Sequence, residues 1–252
     1  MSRSFRSAQL SGLVVGLAIL GGASRAVGQP VAGWSFEGAT VASTAGQAPS
    51  VTAGGSGSNI NSDSGPVSGT ATALHASAAT VYSTPSGNGS AKSLSSNTWA
   101  IGDYYQFSAS TATAFNIMLD WDQTSSNTGP RDFQLQYSTD GTTYTNFGTA
   151  YAVLANASPN PGWNPATSSP IYHFTVDLSS VSGLNDNPNA AFRLVDASTV
   201  SANGGTVATA GTDRVDNFVI SQPVPEPASV ALCGMAGLGL LGKLRRRRSA
   251  AV

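Results

Sequence analysis

Residues Ala114 to Asp122 read AFNIMLDWD, with Phe115, Ile117, Leu119 and Trp121 at every second position and Asn116, Asp120 and Asp122 on the other side with Met118. Alternation of period two puts one set on a buried face and the other on a solvated one, which predicts a strand of an antiparallel sheet. The same pattern returns in Asp132 to Ser138, where Phe133, Leu135 and Tyr137 alternate with Gln134 and Gln136. It returns again in Ile171 to Leu178, where Tyr172, Phe174, Val176 and Leu178 alternate with His173, Thr175 and Asp177. Weaker runs occupy Gly33 to Glu37, Thr80 to Ser83, Asp103 to Ala109, Thr142 to Phe147, Ala191 to Asp196 and Arg214 to Ser221. Asp140-Gly141 predicts a hairpin turn after the second strong strand, because glycine takes the positive φ that such a loop requires. Sustained helical periodicity is absent between these runs, and about nine short strands predict an all-β fold, a single antiparallel two-sheet β-sandwich.

That body spans Gln29 to Gln222 and carries four basic residues, Lys92, Arg131, Arg193 and Arg214, against 12 acids, a formal charge of −8 where the whole chain has −1. Nucleic-acid binding rests on Lys and Arg neutralising phosphates, so this balance argues against it. The single cysteine, Cys233, lies beyond the body, leaving it no disulfide or thiolate metal site. Three long connections interrupt the strands: Ala39 to Thr72, Ala155 to Pro170 and Ser198 to Thr212. The first is almost wholly Ser, Gly, Thr and Ala, and reads as disorder or a plain surface excursion.

The two ends read differently. Arg3 and Arg6 precede the apolar run Leu10 to Leu20 and a small-residue stretch, GGASRAVGQ. This is the order of a secretory signal, residues 1–28, cut after Ala26 or Gly28, with an uncleaved anchor as the alternative. At the other end, residues 223–252 hold Pro225-Glu226-Pro227, the apolar segment 228–242 and the basic cluster 243–248 with Arg245, Arg246, Arg247 and Arg248. Fifteen helical residues rise about 22 Å, short of a hydrocarbon layer near 30 Å, and the cluster would stay cytoplasmic.

Pro225-Glu226-Pro227, a short apolar helix and terminal arginines resemble the PEP-CTERM sorting tail of exopolysaccharide-producing bacteria. The resemblance implies export by the Sec machinery, a transient stay in the inner membrane, and removal of the tail by an exosortase at the tripeptide. The destination it implies is the cell surface or extracellular matrix. An ordinary membrane anchor is the alternative.

A second resemblance lies at the edges of the body. Gly33-Trp34-Ser35-Phe36-Glu37-Gly38 is similar to the opening strand, and Asp213 to Ile220 to the closing strand, of jelly-roll carbohydrate-binding modules. It implies that Glu37 and Asp216 lie close and hold a structural calcium ion, which takes hard oxygen ligands. By strand parity Asp216 shares a face with Phe218 and Ile220; the alternative is an ion pair with Arg193 or Arg214.

Five polar positions, Asn116, Asp120, Gln134, Gln136 and His173, form a candidate polysaccharide groove if they share one sheet face; an antiparallel sheet also commonly leaves one face simply wet. Trp163, between Pro161 and Pro165, is a candidate rigid platform for a sugar, or else folds back over the edge of the sandwich. Trp121 is expected in the core, and Trp34 and Trp99 with it. Asp120 and Asp122 have the spacing of a carboxylate pair on a strand, but they sit in polar sequence where a solvated face is the simpler reading. His75 and His173 have no positioned nucleophile, so no catalytic residue is assigned. The sequence thus predicts an exported, non-enzymatic protein associated with extracellular polysaccharide; a structural or adhesive matrix protein without a discrete ligand site is the alternative.

Overall fold

The computed structural model describes Gly28 to Val224. The signal segment apart from its last residue, the Pro225-Glu226-Pro227 motif, the apolar segment and the arginine cluster lie outside the described residues.

Sixteen strands follow one another in the described chain. They are β1 (Gln29–Trp34), β2 (Thr40–Val41), β3 (Val51–Ala53), β4 (Gly55–Ser56), β5 (Asn59–Asn61), β6 (Gly69–Leu74), β7 (Tyr82–Ser83) and β8 (Leu94–Ser96). Then come β9 (Tyr104–Ala109), β10 (Met118–Ser125), β11 (Asp132–Ser138), β12 (Thr145–Asn146), β13 (Tyr151–Ala152), β14 (His173–Asp177), β15 (Ala191–Asp196) and β16 (Asp213–Gln222). A six-stranded sheet has the order β14-β10-β16-β8-β7, with β1 also on β16. An eight-stranded sheet has the order β12-β11-β15-β9-β6-β5-β4, with β13 also on β11. The pairings between strands are antiparallel. No helix among the described residues is long and apolar enough to cross a membrane.

The predicted antiparallel sandwich is the fold observed. One apolar cluster runs between the sheets, joining Phe107 of β9 to Phe218 of β16 with rings stacked 3.6 Å apart and Trp34 edge-on to both. Trp34, Trp99 and Trp121 are all buried, as their positions predicted. Strand β14 keeps its alternation, with Phe174 and Val176 turned inward and His173, Thr175 and Asp177 exposed. Gly141 takes φ +77° in the turn between β11 and β12.

Three expectations fail for local reasons. Phe115 is 53% exposed, not part of the apolar stripe, because Asn116 takes φ +55° and the strand begins only at Met118. Ala39 to Thr72 is neither disordered nor a plain excursion: it supplies β2 to β5 and the start of β6, and buries Ile60 at 1% exposure. In β6 its inward positions are small, Gly69 and Ala71, and position 69 has to be glycine because Trp34 lies against it. Finally, β16 carries a β-bulge at Asn217 (φ +49°), where the register against β10 shifts between Asp120 and Asp122. The extra residue reverses parity along the strand. Asp213 and Val215 point inward before it and Phe218 and Ile220 after it. Asp216, opposite Asp122, therefore lies on the outer face and not with Phe218 and Ile220.

Candidate functional site

The outer face of the eight-stranded sheet holds a straight row of polar residues. Cross-strand pairing aligns Thr72 of β6 with Gln106 of β9, Gln106 with Arg193 of β15, Arg193 with Gln136 of β11, and Gln136 with Asn146 of β12. Residues directly opposite each other share a face, and neighbouring strands lie about 4.8 Å apart, so five strands carry the row across roughly 19 Å. The row is braced along its length: Arg193 Nε donates to Gln106 Oε1 at 2.8 Å, and Gln136 Nε2 donates to Asn146 Oδ1 at 2.9 Å. The Arg193 guanidinium carbon lies 3.9 Å from the centre of the Tyr104 ring and 3.5 Å from that of Tyr144. Tyr104 comes from β9 and Tyr144 from the hairpin loop that Gly141 turns. Two shallow depressions flank the row and meet at Ser108, one of about 440 Å³ lined by Asn61, Ser68 and Thr70, the other of about 330 Å³ lined by Gly141, Pro188 and Asn189. The first lining is mostly polar and the second is mixed, with Ala109, Pro188 and Ala191 beside Ser108 and Asn189, a combination that suits the hydroxyls and C–H groups of a sugar.

The predicted groove is not one surface. Gln134 and Gln136 lie on β11 of the eight-stranded sheet, whereas Asp120 and His173 lie on β10 and β14 of the other. Parity tells which side of a strand a residue faces and is silent on which sheet holds it. Asn116 belongs to neither face: it sits in the turn before β10, its N–H bonded to Asn185 Oδ1. Gln134 spends its amide nitrogen on the carbonyls of Leu135 and Phe147, at 2.8 and 2.9 Å, tying down the 145–147 segment. Trp163 is corrected as well. It is 7% exposed, packs on Tyr172 and donates to the Ser86 carbonyl at 2.8 Å, so it covers the edge of the sandwich and presents no platform.

On the outer face of the six-stranded sheet, Asp122, Asp120 and His173 form a tight set. His173 Nδ1 is 2.9 Å from Asp122 Oδ1 and Nε2 is 3.6 Å from Asp120 Oδ1. Asn217 Nδ2 donates to Asp122 Oδ2 at 2.9 Å, and Thr175 Oγ1 to Asp120 Oδ1 at 2.7 Å. Asp122 is 5% exposed and both its oxygens are engaged, so the two aspartates do not stand as a free acid and base across a substrate.

Asp216 is fully buried beneath the loop Asn88 to Lys92. It accepts from Asn88 N at 2.9 Å, Ser90 Oγ at 2.6 Å and Asn217 N at 2.8 Å. Burial pushes its pKa up to about 7 despite these donors. Glu37 is exposed and accepts from Lys92 N at 2.9 Å. The pair does not fit calcium: N–H and O–H groups surround the Asp216 oxygens where a cation would need to approach, and no cluster of three His, Cys, Asp or Glu suits a metal among the described residues. The arginine alternative fails too. Arg193 is on the opposite sheet, and Arg214 makes no ion pair with Asp216 among the described residues.

One buried cluster has the order of a hydrolase triad: Ser96 Oγ is 3.3 Å from His75 Nε2, and His75 Nδ1 is 3.4 Å from Asp103 Oδ2. Ser96 and His75 are each 1% exposed, and burial lowers the His75 pKa to about 4. With no route for a substrate, these groups join the core hydrogen-bond network around Tyr105. Sequence reading missed Tyr104, Gln106, Tyr144 and Arg193. A signal existed in the strand AFRLVD, where a lone arginine alternates with Phe192 and Leu194 and must face outward.

No protein-family profile matches the chain, and no curated protein matches it. Among solved structures it is similar to the K1 cleaved adhesin domain of Lys-gingipain from Porphyromonas gingivalis W83, at 16% identity and a TM-score of 0.38, covering 76% of this chain and 98% of that one. It is also similar to the N-terminal cellulose-binding domain of Cellulomonas fimi β-1,4-glucanase C, at 12% identity and a TM-score of 0.33, covering 57% and 84%. A Paenibacillus xanthan lyase matches at 18% identity and a TM-score of 0.32 over 52% of this chain, which spans only 10% of that enzyme. The sandwich itself is established by the strand pairing of this chain.

Proposed function

We propose that this chain is an exported, non-enzymatic β-sandwich protein that binds extracellular polysaccharide along the Thr72–Gln106–Arg193–Gln136–Asn146 row. The row carries the reading: five aligned polar side chains cross five strands on an open face, with two shallow depressions beside them. An extended glycan offers hydroxyls along its length and needs a shallow track of donors and acceptors, not a deep cavity. Solved carbohydrate-binding and adhesin domains among the similar structures agree with this reading. The test is a glycan array probed with the full chain in detergent. Retention of polysaccharides supports the proposal, and a blank array favours a structural or adhesive matrix protein without a discrete site.

Delivery belongs to the same proposal. The Sec machinery takes the chain across the inner membrane by residues 1–28, and an exosortase removes the PEP-CTERM tail to release the body to the cell surface or matrix. The support is the order of Pro225-Glu226-Pro227, apolar segment and arginine cluster. Mass spectrometry of the exported protein is expected to find Ala228 to Val252 missing; an intact arginine-rich terminus would refute the route.

A further inference from the structure

Resting on the glycan-binding reading, we infer that the row selects polysaccharides that carry carboxylates, and that Arg193 is the residue that recognises a uronic acid. Arg193 stands third of five in the row. Two rings within 4 Å of its guanidinium carbon cannot occupy the same side, so Tyr104 and Tyr144 take opposite faces and fix its plane. Its Nε–H is held by Gln106. The Tyr144 hydroxyl lies within hydrogen-bond reach of the guanidinium, and no carboxylate lies within 4 Å of it among the described residues. What remains free is the outer edge of a clamped, planar fork.

That edge matches a carboxylate by two parallel hydrogen bonds, a geometry a lysine ammonium cannot supply. Of the other basic groups, Arg131 is paired with Asp132 at 2.8 Å, Lys92 Nζ donates to the Ala39 carbonyl, and Arg214 lies on the other sheet with its Nε buried and unpartnered among the described residues. In a body of formal charge −8, Arg193 is the guanidinium on this face that is left without a carboxylate partner among the described residues. The tyrosine faces are taken by Arg193, so at this point the row reads a ligand by charge and hydrogen bonding and not by stacking on a sugar ring. Gln106 and Gln136 stand on either side of Arg193 to meet neighbouring hydroxyls. The negative charge of the body is screened beyond about 8 Å at physiological ionic strength, so the local contact decides selectivity.

The test uses the full chain in detergent and three uronates, polygalacturonate, alginate and glucuronan, each against its carboxyl-reduced counterpart, by affinity electrophoresis. The expected result is at least tenfold tighter binding to one or more of the acidic polymers. Arg193→Gln is expected to abolish that preference and Arg193→Lys to restore only part of it, with circular dichroism confirming the fold of both. Equal binding of acidic and reduced polymers, or a preference that survives Arg193→Gln, overturns carboxylate selection and leaves glycan binding standing. Binding to no polymer of either kind, together with a blank neutral glycan array, overturns both.

Discussion

Arg193 and Gln106 face each other across β15 and β9 in register, and the guanidinium Nε–H meets the amide Oε1 at 2.8 Å. The contact ties the only cation of the polar row to its neighbour and sets which edge of the fork remains outward. Because the pair is half-exposed, water competes for it, and a coupling of about 0.5–1 kcal/mol is expected. A double-mutant cycle of Gln106→Met and Arg193→Met, read by chemical denaturation, checks the figure; a coupling near zero would mean that the amide does not position the arginine.

Trp163, within the 155–170 loop, is buried against Tyr172 with its indole N–H on the Ser86 carbonyl. Trp163→Ala removes a large buried side chain and leaves that carbonyl bare, so a loss of about 3–5 kcal/mol is expected. Glycan affinity of the folded fraction should not move, since the ring is remote from the row in the fold. A stable variant with weakened binding would reverse this assignment.

Gly69 begins β6 where a Cβ would stand 2.7 Å from the Trp34 ring and 2.8 Å from the Ser108 carbonyl. Neither neighbour is free to move, so Gly69→Val is expected to lose about 2 kcal/mol or more. The wild-type segment Ala39 to Thr72 should resist limited proteolysis as well as the rest of the body does. Rapid cutting there would contradict its place in the sheet.

How much was legible follows from these particulars. Large apolar residues at period two, as in β11, β14 and the Leu119–Trp121 part of β10, announced their strands and buried faces directly. In β6 the pattern is inverted, with glycine and alanine inside and Thr70, Thr72 and Leu74 outside, so hydrophobicity did not mark the strand although it pairs along its whole length with β9. Asn116 and Asn217 each adopt positive φ, and each undid a parity argument, exposing Phe115 and turning Asp216 outward. One glutamine of the row, Gln136, was visible in the alternation of β11. The arginine beside it was not, because its importance comes from the tyrosines and the glutamine that tertiary pairing brings to it.

Stability should depend on pH through buried carboxyls. Burial raises the pKa of Asp216 and Asp196 to about 7 and that of Asp213 well above the ordinary carboxylate range. Each therefore holds its proton more tightly folded than unfolded, and its contribution to stability is complete below about pH 4 and declines as the pH rises, being lost through about 7 for Asp216 and Asp196. His75, lowered to about 4 by burial, works in the opposite direction between pH 6.5 and 4. Three carboxyls outweigh one imidazole, so the melting temperature is expected to be higher at pH 5 than at pH 8. Asp216→Asn should flatten that slope; a melting temperature that rises from pH 5 to pH 8 would contradict the assignment.

The most direct measurement is the affinity of the full chain for one polysaccharide found on the array, compared across single substitutions on the two outer faces. Gln136→Ala and Arg193→Gln on the eight-stranded sheet are expected to weaken binding at least fivefold, while His173→Ala and Thr175→Ala on the six-stranded sheet leave it unchanged. Loss on the His173 face with none at Gln136 or Arg193 would contradict the account.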